Sequence, residues 1–442
     1  MEETWELYTR ALDLAGSDDE RRAIRLQRAL AMTQLENFAR ARRELAELVP
    51  ELTGDAEIEG LLALARSSVW TEHTEGTLET AARAVELAEQ SDEPDQLPAA
   101  LALLSAGYGM RGETGDLERA IEIGARATGA WVPGTRGAAL SEHYHTQANH
   151  QYWKGTYDAA LELSHLEFEA AGLDPHSAEF LLRGAGMEGL VLSGLGRYEE
   201  ALTAVESAIA IARSMGRPAN VVTNYSTGPL RDIFAIDEAH TRSTSVAERL
   251  GPSDFNMPWI NARADVITAD LLLGELGRVE VAFPGAWDDS MDCHAWERWL
   301  VSGRLCAIRA ELALAMQRPE DAVTWGRKAL EMARNTDRKK YEVISMITIG
   351  GALSMSGLAE EARKELRAAV VEADALGSPL YRWQARAALA DAVRPLEGAD
   401  AADAGMAEAA AIIREIVAGL SPERGAVYVA APQVAAVLDV VS

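Results

Sequence analysis

The residues of this chain whose types and spacing look most like chemistry lie in GAWDDSMDCHAWERW, residues 285–299. Asp288, Asp289 and Asp292 form a DDxxD run, a spacing that can hold a magnesium ion and, through it, a diphosphate. Cys293 and His294 follow at once, and Trp287, Trp296 and Trp299 flank the run. A second candidate is SEHYHTQANHQYW (141–153), which contributes His143, His145 and His150. What either stretch can do depends on the elements that hold it.

For the acidic run, Pro284 and Gly285 read as a helix break, and an apolar-periodic stretch begins near Met291. That places Asp288, Asp289 and Ser290 at a helix start, where short polar side chains cap free N–H groups and carboxylates suit the dipole. An isoprenoid synthase needs its acidic run inside a long helix facing a closed apolar cavity. It also needs a second metal motif, Asn or Asp followed at four-residue steps by Ser or Thr and then Glu, which is not found on a suitable helix. A magnesium-dependent isoprenoid-type enzyme built on DDSMD is therefore the least favoured reading. His143 and His150 are seven residues apart, whereas zinc ligands on adjacent helical turns sit three or four apart. There is no HExxH and no carboxylate at a matching offset, so no metal site is expected.

The wider composition narrows the choice. The 442 residues carry 69 acidic and 42 basic side chains, a formal charge of −27, which argues against nucleic acid as a partner. Residues 51–100 hold twelve Asp or Glu against two Arg, read as a solvated face. Two cysteines, Cys293 and Cys306, make neither a disulfide framework nor a four-ligand zinc site. No long uncharged apolar run predicts a membrane span, and the charged MEETWELYTR start lacks an apolar signal region, so a cytoplasmic protein is expected. Arginine outnumbers lysine 37 to 5, as in the proteins of GC-rich bacterial genomes. There is no GxxxxGK[ST] loop, no GxGxxG after a strand, no GxSxG elbow, no CxxC and no basic helix-turn-helix reader.

Self-similarity gives the architecture. GLGRYEEALTAVESAIAIARSMG (194–216) reads as a tight turn followed by an amphipathic helix, and SGLAEEARKELRAAVVEADALG (356–377), TGDLERAIEIGARATG (114–129) and KGTYDAALELSHLEFEAAG (154–172) repeat it. Alanine recurs at one point of that helix, at Ala41, Ala120, Ala160, Ala201, Ala322 and Ala362, with Thr77, Ala239 and Ala282 filling the gaps. The small side chain lets two helices approach closely. Gly189, Ala310 and Gly350 supply the small residue of the preceding helix, and Pro319 sits where a second helix begins. Pro50, Pro94, Pro98, Pro133, Pro175, Pro218, Pro252 and Pro379 fall near the joints between units. The chain is thus expected to be all-α, a solenoid of nine to ten helix-turn-helix repeats over 1–442. The least regular repeats are expected at 220–300 and a capping segment at about 395–442.

GLGRYEEALTAVESAIAIA and SGLAEEARKELRAAVVEA resemble tetratricopeptide repeats of the longer, roughly 40-residue form. That form is similar to the helical region of the maltose-operon activator family and of bacterial signalling ATPases, some of which carry nucleotide cyclase domains. The tail at 407–438 resembles the closing segment of the second group. The resemblance implies that the first helix of each hairpin faces a concave groove. His145, Asn149 and Tyr152 would then point inward, joined by Arg183, Asn224 and Arg231 from the next two hairpins.

The function expected is non-catalytic: a scaffold or sensor that binds a protein or peptide partner along that groove in bacterial signalling, without a cofactor, nucleic acid or membrane. The alternative is a small-molecule sensor whose pocket is lined by Trp259, Trp287, Trp296 and Trp299.

Overall fold

The computed structural model describes residues 2–135, 137–172, 178–216 and 219–440. After α1 (Glu2–Leu14) come ten helical hairpins, and no strand occurs among the described residues. The first four are α2 (Asp18–Gln34) with α3 (Phe38–Leu48), α4 (Asp55–Val69) with α5 (Thr74–Ala88), α6 (Gln96–Arg111) with α7 (Asp116–Ala130), and α8 (Ala138–Lys154) with α9 (Tyr157–Ala171). Then follow α10 (Ala178–Gly194) with α11 (Tyr198–Ser214), α12 (Asn220–Asp232) with α13 (Ile236–Arg249), and α14 (Met257–Leu272) with α15 (Leu276–Asp292). The last three are α16 (Leu300–Ala315) with α17 (Pro319–Asn335), α18 (Lys339–Met355) with α19 (Ala359–Leu376), and α20 (Pro379–Glu397) with α21 (Ala399–Ala418). Two short helices, α22 (Pro422–Ala430) and α23 (Pro432–Val440), close the array. The segment expected as a cap from about 395 therefore begins with the second helix of the tenth hairpin. Pro175 and Pro218 lie outside the described residues.

Each hairpin is built the same way. Ala41, Ala120, Ala160, Ala201, Ala322 and Ala362 are all fully buried, as is Thr77. The reason is steric: a Cβ on Gly189 would lie 2.4 Å from Val205 Cγ1, and one on Gly350 2.3 Å from Leu366. Five residues before the anchor the turn passes through a left-handed residue, at Gly155 (φ 89°), Gly196 (79°), Gly274 (77°) and Gly357 (77°). Glu36, Glu72, Phe234 and Gln317 hold the same conformation without glycine, with φ between 56° and 59°, at about 1–2 kcal/mol each.

That turn corrects one anchor. Gly274 is five residues before Val279, which is fully buried, whereas Ala282 is only partly buried. Val279 occupies the seventh anchor position, and Ala402, also fully buried, supplies a tenth.

The acidic run needs a second correction. Pro284 does not end its helix: α15 runs through it to Asp292, so Asp288, Asp289 and Asp292 lie in the last turns. Val279, Phe283, Ala286 and Ser290 are buried at steps of four, three and four. This stripe continues across the proline and packs against α14 and α16, outweighing the one backbone hydrogen bond that Pro284 cannot make. Ser290 donates to the Trp287 carbonyl at 2.8 Å rather than capping. Asp289 pairs with Arg263 of α14, and Asp288 is exposed.

Hairpins five apart touch, so the superhelix completes a turn in about five units. Glu72, in the second hairpin, accepts from the Asn256 and Met257 amides at 2.6 and 3.1 Å and so caps α14 of the seventh. Trp299 at the start of the eighth donates to Met110 O in the third at 3.1 Å. Lys154 of the fourth lies 3.6 Å from Asp337 before the ninth. Gly196 of the fifth sits against Pro379 of the tenth. No described helix is long and apolar enough to cross a membrane.

Candidate functional site

Closing the superhelix on itself leaves a lumen with a cavity of about 550 Å³. Its lining comes from the first helices of nine hairpins, α2 to α18, and from segments that lead into or out of them. The repeat explains which residues face it. The position 18 residues before the anchor lines the cavity in seven consecutive hairpins, as Glu59, Ala102, Glu142, Arg183, Val221, Asn261 and Arg304. The next two helical turns add Arg66, Thr146, Asn149, Tyr225 and Asp265.

One part of the wall is aromatic. Trp70 stacks on Phe38 at 5.6 Å and meets Phe255 at 5.2 Å, and Phe255 meets Trp296 edge-on at 6.3 Å. Arg183 lies 4.7 Å above the Trp70 ring. Glu142 accepts from Arg66 Nε and from Trp70 Nε1, both at 2.7 Å.

His145, Asn149, Tyr152, Arg183, Asn224 and Arg231 all line this one cavity. Asn149 donates to His145 O at 2.9 Å, and His145 Nδ1 lies 3.3 Å from Glu167. Asn224 Oδ1 is buried with no hydrogen-bond partner among the described residues.

A second part of the wall is cationic, and sequence reasoning found only Arg231 of it. Arg231 and Arg304 both bond Asp265, which also accepts from Thr227 at 2.7 Å. Burial would raise the Asp265 carboxyl, but Arg304 and Arg231 outweigh it and hold it below its ordinary value. Arg338 is 5% exposed; it donates to Leu300 O at 2.8 Å and stacks 4.1 Å from the Tyr341 ring. Burial pulls its guanidinium down to about 10. Burial also raises the Tyr341 hydroxyl, yet Arg304, Arg338 and Lys340 together hold it below its ordinary value.

The remaining candidates are structural in their surroundings. His143 lies 2.9 Å from the Thr128 hydroxyl, and burial pushes it down to about 4. His150 fits against Gly109, where a Cβ would lie 2.1 Å from Nε2, and burial holds it at about 3. The four tryptophans are spread over several surroundings. Trp287 packs on Phe283 and Trp325, Trp259 lies under Arg263, Trp299 meets Trp153 edge-on, and Trp296 alone of the four lines the lumen.

Glu72, Cys293 and Glu297 bring one ligand-capable atom each within 4.8 Å of one another. The cluster joins residues more than 200 apart in sequence, so no spacing rule reveals it. Glu72 is already committed to the α14 amides. Glu297 is fully buried against Glu72, and burial with the Glu72 charge raises its carboxyl well above the ordinary range.

No protein-family model matches the sequence, and no curated protein matches it. Among solved structures, a Rap protein in complex with the competence and sporulation factor aligns with a TM-score of 0.55 at 12% identity, over 82% of this chain and 99% of that one. The Cut9–Hcn1 hetero-tetramer of the APC/C aligns at 0.55 and 13% identity, over 98% and 86%. The Rap conjugation gene regulator of plasmid pLS20 with the Phr* peptide aligns at 0.51 and 13%, over 83% and 98%. The fold is that of tetratricopeptide-type helical solenoids. Identities this low carry the fold and no more, and the narrower likeness to the maltose-operon activator and cyclase-linked groups finds no support among them.

Proposed function

We propose that the protein is a non-catalytic receptor or scaffold that takes a peptide, or an extended segment of a protein partner, into the lumen of its superhelix. The observation that carries this reading is the convergence of Asn149, Tyr152, Arg183, Asn224 and Arg231 on one cavity, with Asn224 Oδ1 buried there and without a partner among the described residues. Asparagine suits such a ligand because its amide offers both donors and an acceptor to a peptide backbone. Two of the similar solved structures are Rap proteins captured with a factor or peptide, which supports this use of the architecture. A signalling role akin to that of the helical region of the signalling ATPases belongs to the same proposal.

The test is to pass the peptide fraction of the source cells over the immobilised protein, sequence what is retained, and resynthesise it. Asn149→Ala and Asn224→Ala should each weaken binding about 2–10-fold, the range of one hydrogen bond, while Trp287→Ala leaves it unchanged. A loss confined to Trp287→Ala would move the site to the aromatic region outside the lumen.

A further inference from the structure

The charge of the lumen is opposite to that of the chain. Arg66, Arg183, Arg231, Arg304, Arg338 and Lys340 line it against Glu59, Glu142 and Asp265, six cations to three carboxylates, in a protein of formal charge −27. Two of the carboxylates are answered locally, Glu142 by Arg66 and Asp265 by Arg231 and Arg304. Arg338 and Lys340 are not: among the described residues neither has a carboxylate ion-pair partner. Arg338 uses a backbone carbonyl, ring faces and the Tyr341 hydroxyl, and Lys340 uses the Tyr381 hydroxyl, with that ring's centre at 5.4 Å. Asp232, the acid that acts on Lys340 at longer range, accepts from Ser193. Burial works against both cations; it pulls Arg338 down, whereas the tyrosines and Asp232 around Lys340 outweigh it there, so an incoming anion relieves Arg338 above all. A guanidinium and an ammonium that line one cavity and both act on the Tyr341 hydroxyl suit a carboxylate.

We propose that the occupant of the lumen carries a carboxylate that seats between Arg338 and Lys340, beside the Tyr341 hydroxyl. This rests on the peptide-binding reading and adds the chemistry of one end of the ligand. The other end follows from α8. Glu142 touches Trp70, and Tyr152, ten residues on, lies among the groups around Lys340. Ten residues of helix rise about 15 Å, a span that four to five extended peptide residues cover at about 3.3–3.6 Å each. The ligand therefore presents a bulky apolar side chain to Trp70 and Phe255 and a carboxylate four to five residues away.

The probe is a random-sequence octapeptide pool prepared once as free acids and once as C-terminal amides, with retained peptides read by mass spectrometry. The free-acid pool should be retained at least tenfold better if the carboxylate is terminal. Asp and Glu should be enriched among retained amides if it is a side chain. Lys340→Met should cut retention at least tenfold in a variant that circular dichroism shows to be folded. Lys340→Gln repeats the comparison if the first variant does not fold. Equal retention of both pools, no acidic enrichment and no effect of either Lys340 variant would overturn the carboxylate while leaving peptide binding standing. No retention from either pool would overturn both.

Discussion

Trp299 donates its indole N–H to the carbonyl of Met110, 189 residues earlier, at 3.1 Å. The same ring covers Gly112, whose φ is 65° and on which a Cβ would lie 2.3 Å from the indole. This contact locks one turn of the superhelix to the next, so Gly112→Ala carries two penalties, the left-handed backbone and the overlap. The expected loss is about 2–5 kcal/mol, and Trp299→Ala should cost about 3–5 kcal/mol. Urea unfolding checks both; a loss below 0.5 kcal/mol for each, on the scale of ordinary surface changes, would mean the turns are not locked there.

The buried histidines set an acid limit. His143 and His150 are held near 4 and 3 against an ordinary value of 6.5, so the unfolded chain binds more protons than the folded one below neutrality. Stability falls as pH drops from about 6.5 towards 4, at up to about 2.7 kcal/mol per pH unit while both contribute. His143→Gln with His150→Gln should flatten that slope, measured by unfolding at pH 7 and pH 5. An unchanged slope would show that other groups set it.

Glu297 acts in the opposite direction. Its carboxyl is raised in the folded state, so its neutral form contributes stability that is fully present below the ordinary carboxylate range and is lost as pH rises through the raised value. Glu297→Gln keeps the shape without the charge, and its melting temperature should equal or exceed that of the parent, most clearly at pH 8–9. A large drop in the variant would show that the ionised carboxylate is needed there.

The acidic run was the clearest local signal in the sequence and the most misleading. A proline beside a glycine reads as a break, but whether a helix continues through it depends on the stripe 279–283–286–290 and the helices packed on it, which no local reading sees. The fold was legible because its instruction repeats: a buried small residue every 36 to 43 positions and a left-handed turn five residues before it. That the six candidate residues on α8, α10 and α12 face one cavity was legible for the same reason. Arg304, Arg338 and Lys340 were not: Arg304 keeps the regular position 18 residues before Ala322, but Arg338 precedes α18 and Lys340 lies in its first turn, and that these three reach one wall of the lumen follows from the closed superhelix rather than from the repeat. Glu72 with Glu297, and Trp299 with Gly112, are contacts between turns, and sequence spacing carries no trace of them.

With the acidic run at the end of α15, its removal should cost little. Carboxylates near a helix C-terminus oppose the dipole, so Asp288→Ala should change stability by no more than about 0.5 kcal/mol and in the stabilising direction. Asp289→Ala should lose only the partly exposed pair with Arg263, about 0–1 kcal/mol. Calorimetric titration with magnesium and a prenyl diphosphate should give no heat of binding. Micromolar binding removed by the double variant would restore the enzyme reading.

The central claim is that the inner wall of first helices holds the ligand, and cross-linking tests it most directly. A retained peptide carrying a benzophenone at its central residue should attach to α8, α10, α12 or α18, with the adducts placed by mass spectrometry at lumen positions such as Tyr152, Asn224 or Tyr341. Adducts concentrated on the second helices, or around Trp287 and Trp325 outside the lumen, would contradict it.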